Sequence, residues 1–371
     1  MKKKLIIDTE IYNDYFLLSA MCVETGRVCN IEMYEGHPLD IVKVENLMRT
    51  YTTIGFNSNK FDIPILVAAV AGYSNAKLKG LCDTIINSNA SVWSIYKSNN
   101  LNRPTNWDSI DLIEVAPGMV SLKIYGGRLN APTIQDLPID PDASISPEQR
   151  EVLRTYCKND LDTTKILYDN LLPQIALRET MTEKYGMDLR SKSDAQIAEA
   201  VIASELEKIT GKALKRPNVK DTDTFKYLDP EIVSFKNPQL DSIHQRVIDE
   251  KFKLGLNGAL KLPDWLKKEV IIINGRKYQM GIGGLHSCEK GQYVEAKEGW
   301  FLQEKDVVSY YPSIILQQQV APKNMGQPFL DLYKGIITER VFAKKMAAKL
   351  QCRIETLERE IKDAITKKNI Q

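Results

Sequence analysis

The sequence predicts an α/β protein: a mixed-sheet domain, then a linking region, then long C-terminal helices. Two observations carry this. Over the first 170 or so residues, short apolar runs of strand character alternate with segments of helical period. From Leu332 onward there is no Pro, no Gly after Gly335, and strong helical propensity throughout.

Taken in order, Lys4 to Asp8 reads as a buried strand and Tyr15 to Val23 as a second. A Thr25-Gly26 turn leads to a third strand from Arg27 to Met33. Leu39 to Thr50 has helical period, Thr52 to Phe56 is a short strand, and Pro64 to Ala71 continues as helix. Ser109 to Ile113 is another strand. Pro147 opens a helix running to about Leu172, with proline in the first turn, where its missing N–H costs nothing. Three strands, helix, strand, helix is an α/β order with a mixed sheet, unlike a doubly wound parallel one. Beyond Lys184-Tyr185-Gly186, Ser193 and Gln196 predict a capping box for a helix ending near Lys208. Lys212 to Pro238 is polar and aperiodic, and reads as a long loop or a small irregular unit. Gln279 to Ser287 is glycine-rich, and Glu304 to Ser313 resumes strand character.

At 371 residues, with 43% hydrophobic and 26% charged side chains, the chain has room for two or three ordinary globular domains. No apolar run approaches the roughly 20 residues a membrane span needs, so no membrane association is expected. The six cysteines are scattered without a Cys-x-x-Cys pair, which predicts reduced thiols in an intracellular protein and argues against zinc. Only three histidines are present, so metal chemistry falls to carboxylates. The net charge of +2 says little, but Asp331 to Gln371 holds ten Lys/Arg against six Asp/Glu. By itself that excess reads as a solvated helix face.

Three short motifs stand in the first domain: Asp8-Thr9-Glu10 at the end of the first strand, Asn57 to Asp62 at a strand-to-helix junction, and Tyr156 to Asp160 on the long helix. Asp8 and Glu10 share one face of a strand by its period of two. Tyr156 and Asp160 share one face of a helix as i and i+4. Two carboxylates from a strand and two from helices can converge on two divalent cations about 3.5–4 Å apart, the geometry that clamps attacking and leaving oxygens of a phosphodiester. All-oxygen ligation favours Mg²⁺ or Mn²⁺. A D-x-E alone is common in a chain with 48 acids, but three motifs in order, each on the expected element type, are far more specific.

Over roughly residues 4 to 175 the sequence resembles the DEDDy 3′→5′ exonucleases, whose motifs are D-x-E, N-x(2–3)-[FY]-D and Y-x(3)-D, on an RNase H-like fold. The resemblance implies Asp8, Glu10, Asp62 and Asp160 as ligands of two metal ions, and Tyr156 as the residue orienting the attacking water. It implies Asn57 and Phe61 as contacts to the single-stranded 3′ end of DNA; a core aromatic is the other reading of Phe61. Lys123 matches a lysine that assists the reaction in some relatives, and equally fits a plain surface lysine. Asp111 reads as a supporting residue on a central strand.

Asp306-Val307-Val308-Ser309-Tyr310-Tyr311-Pro312-Ser313 is similar to motif A of family B DNA polymerases, D-x-x-S-L-Y-P-S, with Tyr310 in place of Leu. The family implies Asp306 as a polymerase metal ligand, Tyr311 as the ring that excludes a 2′-hydroxyl, and Arg340 and Lys344, i and i+4, as contacts to an incoming triphosphate. Gly281 to Gly284 weakly resembles the family's Y-x-G-G linker and equally fits a simple turn. The family's motifs B and C are not in the sequence. The expected divisions are an exonuclease domain over 1–178, a linking region over 179–275, the start of the palm over 276–330 and the start of the fingers over 331–371. The expected protein is a replication protein, compact and phage-like, at work in the cytoplasm of an infected bacterium. Its expected partners are primer-template DNA, a second polypeptide carrying motifs B and C, and a dNTP only with that half present. A free-standing exonuclease and a non-catalytic DNA-binding subunit of a split polymerase are the rivals.

Overall fold

The computed structural model describes residues 2–88, 90–214, 220, 223–230, 232–255 and 259–368, the side chains of 366–368 excepted. The chain forms two compact units, Met1–Val201 and Ile202–Gln371. Among the described residues, no helix is long and apolar enough to cross a membrane.

The first unit opens with three strands, β1 (Lys4–Ile11), β2 (Tyr15–Cys22) and β3 (Val28–Tyr34). They form an antiparallel meander, and Gly26, at a φ of 68°, supplies the left-handed residue for the second turn. Helix α1 (Ile41–Thr50) leads to β4 (Thr52–Gly55), followed by α2 (Asp62–Val70), α3 (Asn75–Asn87), α4 (Val92–Ser98) and β5 (Ser109–Asp111). β4 runs parallel to β1, and β5 parallel to β4, giving a mixed five-stranded sheet ordered β3-β2-β1-β4-β5. The unit continues with α5 (Leu122–Arg128), α6 (Pro147–Asn170), α7 (Leu172–Tyr185) and α8 (Asp194–Thr210), which crosses the division.

β1 is the central strand and is covered on both faces. Its odd positions Leu5, Ile7 and Ile11 pack with Val44, Met48, Leu66 and Leu78 of α1–α3. Its Ile6 packs with Ile54, Ile110 and, across from them, Tyr125 and Leu161 of α5 and α6. Two-sided burial explains the unbroken apolar run at residues 5–7. The α6 N-terminus is fixed by a capping box between Ser146 and Gln149, with Pro147 next to the cap. Ser193 and Gln196 exchange the two bonds expected of them at the start of α8. Helix α3 was not expected; Leu78, Leu81, Cys82 and Ile85 carry its buried face at helical spacing.

In the second unit, β6 (Thr224–Phe225) pairs with β7 (Phe252–Lys253), and α9 (Pro238–Asp249) is capped by Asn237. Then come α10 (Asp264–Lys268) and an antiparallel sheet of β8 (Ile271–Ile273), β9 (Arg276–Gly281) and β10 (Gly284–Ser287), in the order β10-β9-β8. Asn274 and Gly275, both with positive φ, make the tight turn of the β8–β9 hairpin. Ile243, Leu266 and Ile271 form a small core beneath it. The chain ends in α11 (Tyr310–Gln317) and a single 43-residue helix, α12 (Gly326–Lys368).

One expectation is corrected here. Residues 301–309 are not a strand, and α11 begins at Tyr310. The β-branched and aromatic residues of this stretch favour strands only where a neighbour pairs with them. Among the described residues none does, and Pro312 sits in the first turn of a helix, where it is tolerated.

Candidate metal centre

The site is built on the C-terminal half of β1. Asp8 and Glu10 lie on the face toward α6, while Thr9 points to the α2 side and donates from Oγ1 to Asp62 Oδ1 at 2.6 Å. Asp62 is the first residue of α2 and is 3% exposed. From α6 come Tyr156, 7% exposed, and Asp160 one turn on, close enough for each to shift the other's proton affinity. Cys157, fully buried between them, donates its thiol hydrogen to Asp8 Oδ2 at 3.3 Å.

One oxygen each from Asp8 and Glu10 and the Cys157 sulfur lie within 4.8 Å of one another, so these three residues could hold a metal ion. Asp62 and Asp160 stand outside that tight group yet act on it through their charges. Asp8 is held well above the usual carboxylate range, first by burial and then by Asp62 and Asp160. Glu10 is raised in the same way by burial, Asp8, Asp160 and Asp62. Burial pushes Asp62 up to about 7, against the hydrogen bond from Thr9 that favours its charged form. Burial also raises Asp160, opposed by Tyr156 and by the nearby charge of Lys123. Burial and the carboxylates hold both the Tyr156 hydroxyl and the Cys157 thiol in their protonated forms. Among the described residues, no Lys, Arg or His forms an ion pair with any of the four carboxylates. A group of buried and half-buried acids that forms no ion pair among the described residues suits a bound divalent ion, which would relieve the repulsion that raises them.

A second layer holds the Asn57–Asp62 turn. Asp111, at the end of β5 and 3% exposed, accepts from the backbone N–H groups of Asn57 at 2.7 Å, Asn59 at 2.8 Å and Ile113 at 3.2 Å. Asn57 has a φ of 60°, a left-handed conformation that asparagine tolerates better than most residues. Phe61 lies half-buried against the core cluster of β1 and α1–α3. Lys123, on α5, pairs with Asp136 at 2.9 Å. Sequence reasoning missed the roles of Thr9 and Cys157. Thr9 sits between two expected ligand positions, and Cys157 follows Tyr156, but neither position carries a pattern of its own.

In the second unit, Asp306, Ser309, Tyr310, Arg340, Lys344 and Lys345 line a cleft of about 550 Å³. Arg340 donates to Ser309 Oγ at 3.0 Å, and the Tyr311 hydroxyl donates to the Gly283 carbonyl at 2.6 Å. The Asp306 segment, the glycine turn and the two cationic residues singled out in sequence are therefore close together. Asp306, Tyr310, Tyr311, Ile282, Arg340 and Lys344 are exposed, while Ser309, Gly281 and Gly284 are half-buried.

Searches of family models, curated proteins and solved structures returned no match to this chain.

Proposed function

We propose that the first unit is a metal-dependent 3′→5′ exonuclease acting on single-stranded DNA ends, in the N-terminal part of a phage-like family B DNA polymerase. The observation that carries this is the convergence of Asp8, Glu10, Asp62 and Asp160, from three separate sequence motifs, into one electrostatically coupled group beside Tyr156. A mixed sheet whose central strand carries two of the acids supports the RNase H-like reading. Asp8, Glu10, Asp62 and Asp160 would hold two Mg²⁺ or Mn²⁺ ions, a reading supported by the tight Asp8–Glu10 pair and the charges of the other two acids beside it. When bound, such ions supply a water of lowered pKa and charge neutralisation at the scissile phosphodiester.

The chain's own groups do the rest. Tyr156, kept protonated beside Asp160, orients the attacking water by accepting a hydrogen bond from it at the hydroxyl oxygen. The 57–62 turn, held by Asp111, presents Asn57 and the Phe61 ring to the terminal nucleotides. In the second unit, the cleft joining Asp306 to Arg340 and Lys344 favours a nucleotide-triphosphate site in which Tyr311 selects deoxyribose. That site needs carboxylates beyond Asp306 to hold its metal ions, with primer-template DNA as the shared substrate.

Degradation of 5′-labelled single-stranded DNA tests the nuclease. Mg²⁺ or Mn²⁺ supports shortening from the 3′ end, a chelator stops it, and Asp8→Ala with Glu10→Ala lowers the rate by several orders of magnitude in a folded protein. Undiminished activity in that double variant would remove these acids from the mechanism.

A further inference from the structure

Helix α12 runs for 43 residues, and from Phe342 to Ile365 every residue except Thr356 is exposed. Along this stretch large apolar side chains, 40–66% exposed, recur at intervals of four, four, four, three, four and four residues. At about 100° per residue they occupy one arc of roughly 140°. Arg340, Val341, Lys344 and Lys345, which line the cleft with Asp306, lie on the remaining circumference. The helix thus has one face turned to the cleft and another, apolar, with no covering among the described residues. An uncovered apolar stripe of this length marks an interaction surface.

The charges beside the stripe say what covers it. Lys345, Lys349 and Arg353, then Glu360 and Asp363, form one strip along the same edge of the stripe, basic in its first half and acidic in its second. In an antiparallel pair of helices each edge faces the same edge of its partner. A second α12 laid antiparallel about Ile354 sets Lys345 against Asp363 and Lys349 against Glu360, on both sides of a two-fold axis. The apolar stripe obeys the same symmetry: Phe342 meets Ile365, Met346 meets Ile361, and Leu350 meets Leu357, with Ile354 on the axis. A parallel pair would instead set each edge against the opposite edge of its partner and lose both of these Lys–acid pairings.

We propose that the chain self-associates through α12, as an antiparallel two-helix contact centred on Ile354. The contact spans about 35 Å at 1.5 Å per residue. Its intervals exceed the 3.5-residue step of a left-handed coiled coil, so the helices wrap slightly right-handed and pack most closely at Leu350, Ile354 and Leu357. The interface is isologous, so it closes at two copies. Its apolar stripe lies opposite the cleft, the two meeting only at Lys345 on the stripe's edge, and the contact is independent of the nuclease reading.

Sedimentation equilibrium of the chain at about 1–100 µM should give twice the 42.1 kDa monomer mass. Two charge variants decide the orientation: Lys345→Glu with Lys349→Glu leaves Arg353 as the edge's single basic residue among four acids, and Glu360→Lys with Asp363→Lys makes the edge wholly basic. Each alone should dimerise at least tenfold more weakly than wild type. An equimolar mixture of the two should form the heterodimer, and all four changes in one chain should restore the homodimer. A wild-type chain that stays monomeric through 100 µM overturns the proposal and leaves the stripe to a different polypeptide. Charge variants that dimerise as tightly as wild type overturn it as well.

Discussion

Replacing Asp62 with Asn removes one buried charge while keeping the side chain's shape and an oxygen to accept from Thr9. The carboxyl group titrates at about 7 in the fold, against an ordinary 3.8. An acid whose proton affinity rises on folding stabilises the fold below its unfolded value, and loses that contribution as pH rises through the folded one. Without divalent metal, the first unit should therefore lose stability between about pH 4 and pH 7. At about 1.4 kcal/mol per tenfold change in proton affinity, the loss at pH 8 reaches about 4 kcal/mol as an upper bound. Half of that moves the melting midpoint of a unit of this size by roughly 4–8 °C. Calorimetry in a chelator should show wild type melting lower at pH 8 than at pH 5, and Asp62→Asn melting several degrees above wild type at pH 8. Added Mn²⁺ should raise wild type more than the variant, because the ion is bound by the charge that Asn lacks. A wild type insensitive to pH in the chelator, or a variant that melts lower at pH 8, would refute the account of Asp62 as an uncompensated buried acid.

Tyr156→Phe should leave Mn²⁺ binding intact by titration and slow exonucleolytic cleavage by about 10²–10⁴-fold, the usual contribution of a positioned side chain of this kind. An unchanged rate would leave Tyr156 as a packing residue of α6. Asp111→Ala leaves three backbone N–H groups without their acceptor, and should cost about 2–4 kcal/mol while speeding hydrogen exchange at Asn57 and Asn59. Protection unchanged at those two amides would show that something else holds the turn. The chain alone should shorten a primer but not extend it in a dNTP assay, since Asp306 is a single carboxylate where Mg²⁺ relies on several. Robust synthesis would overturn that reasoning.

Local rules were legible without the structure. The apolar run at residues 5–7 marked a buried strand, period two put Asp8 and Glu10 on one face, and the i, i+4 step joined Tyr156 to Asp160, whereas the strand of Asp111, expected to be central, lies at the edge of the sheet. The start of α6 at Pro147 and the Ser193–Gln196 box at α8 followed from capping chemistry that acts within one turn. Each of these depends on neighbours a few residues away, which a sequence lists directly.

What tertiary structure alone decided are contacts between distant segments. Thr9 reaches Asp62 across 53 residues, Cys157 reaches Asp8 across 149, and Asp111 takes up the amides of a turn more than 50 residues earlier. No periodicity announces such bonds, because they arise where two layers pack on opposite faces of β1. The 304–313 segment shows the converse. Its β-favouring residues stay without a ladder and its last residues turn helical, because a strand exists only where another backbone pairs with it. Helix α12 was set by propensity, but which of its faces meets the cleft and which stays open was fixed only by packing.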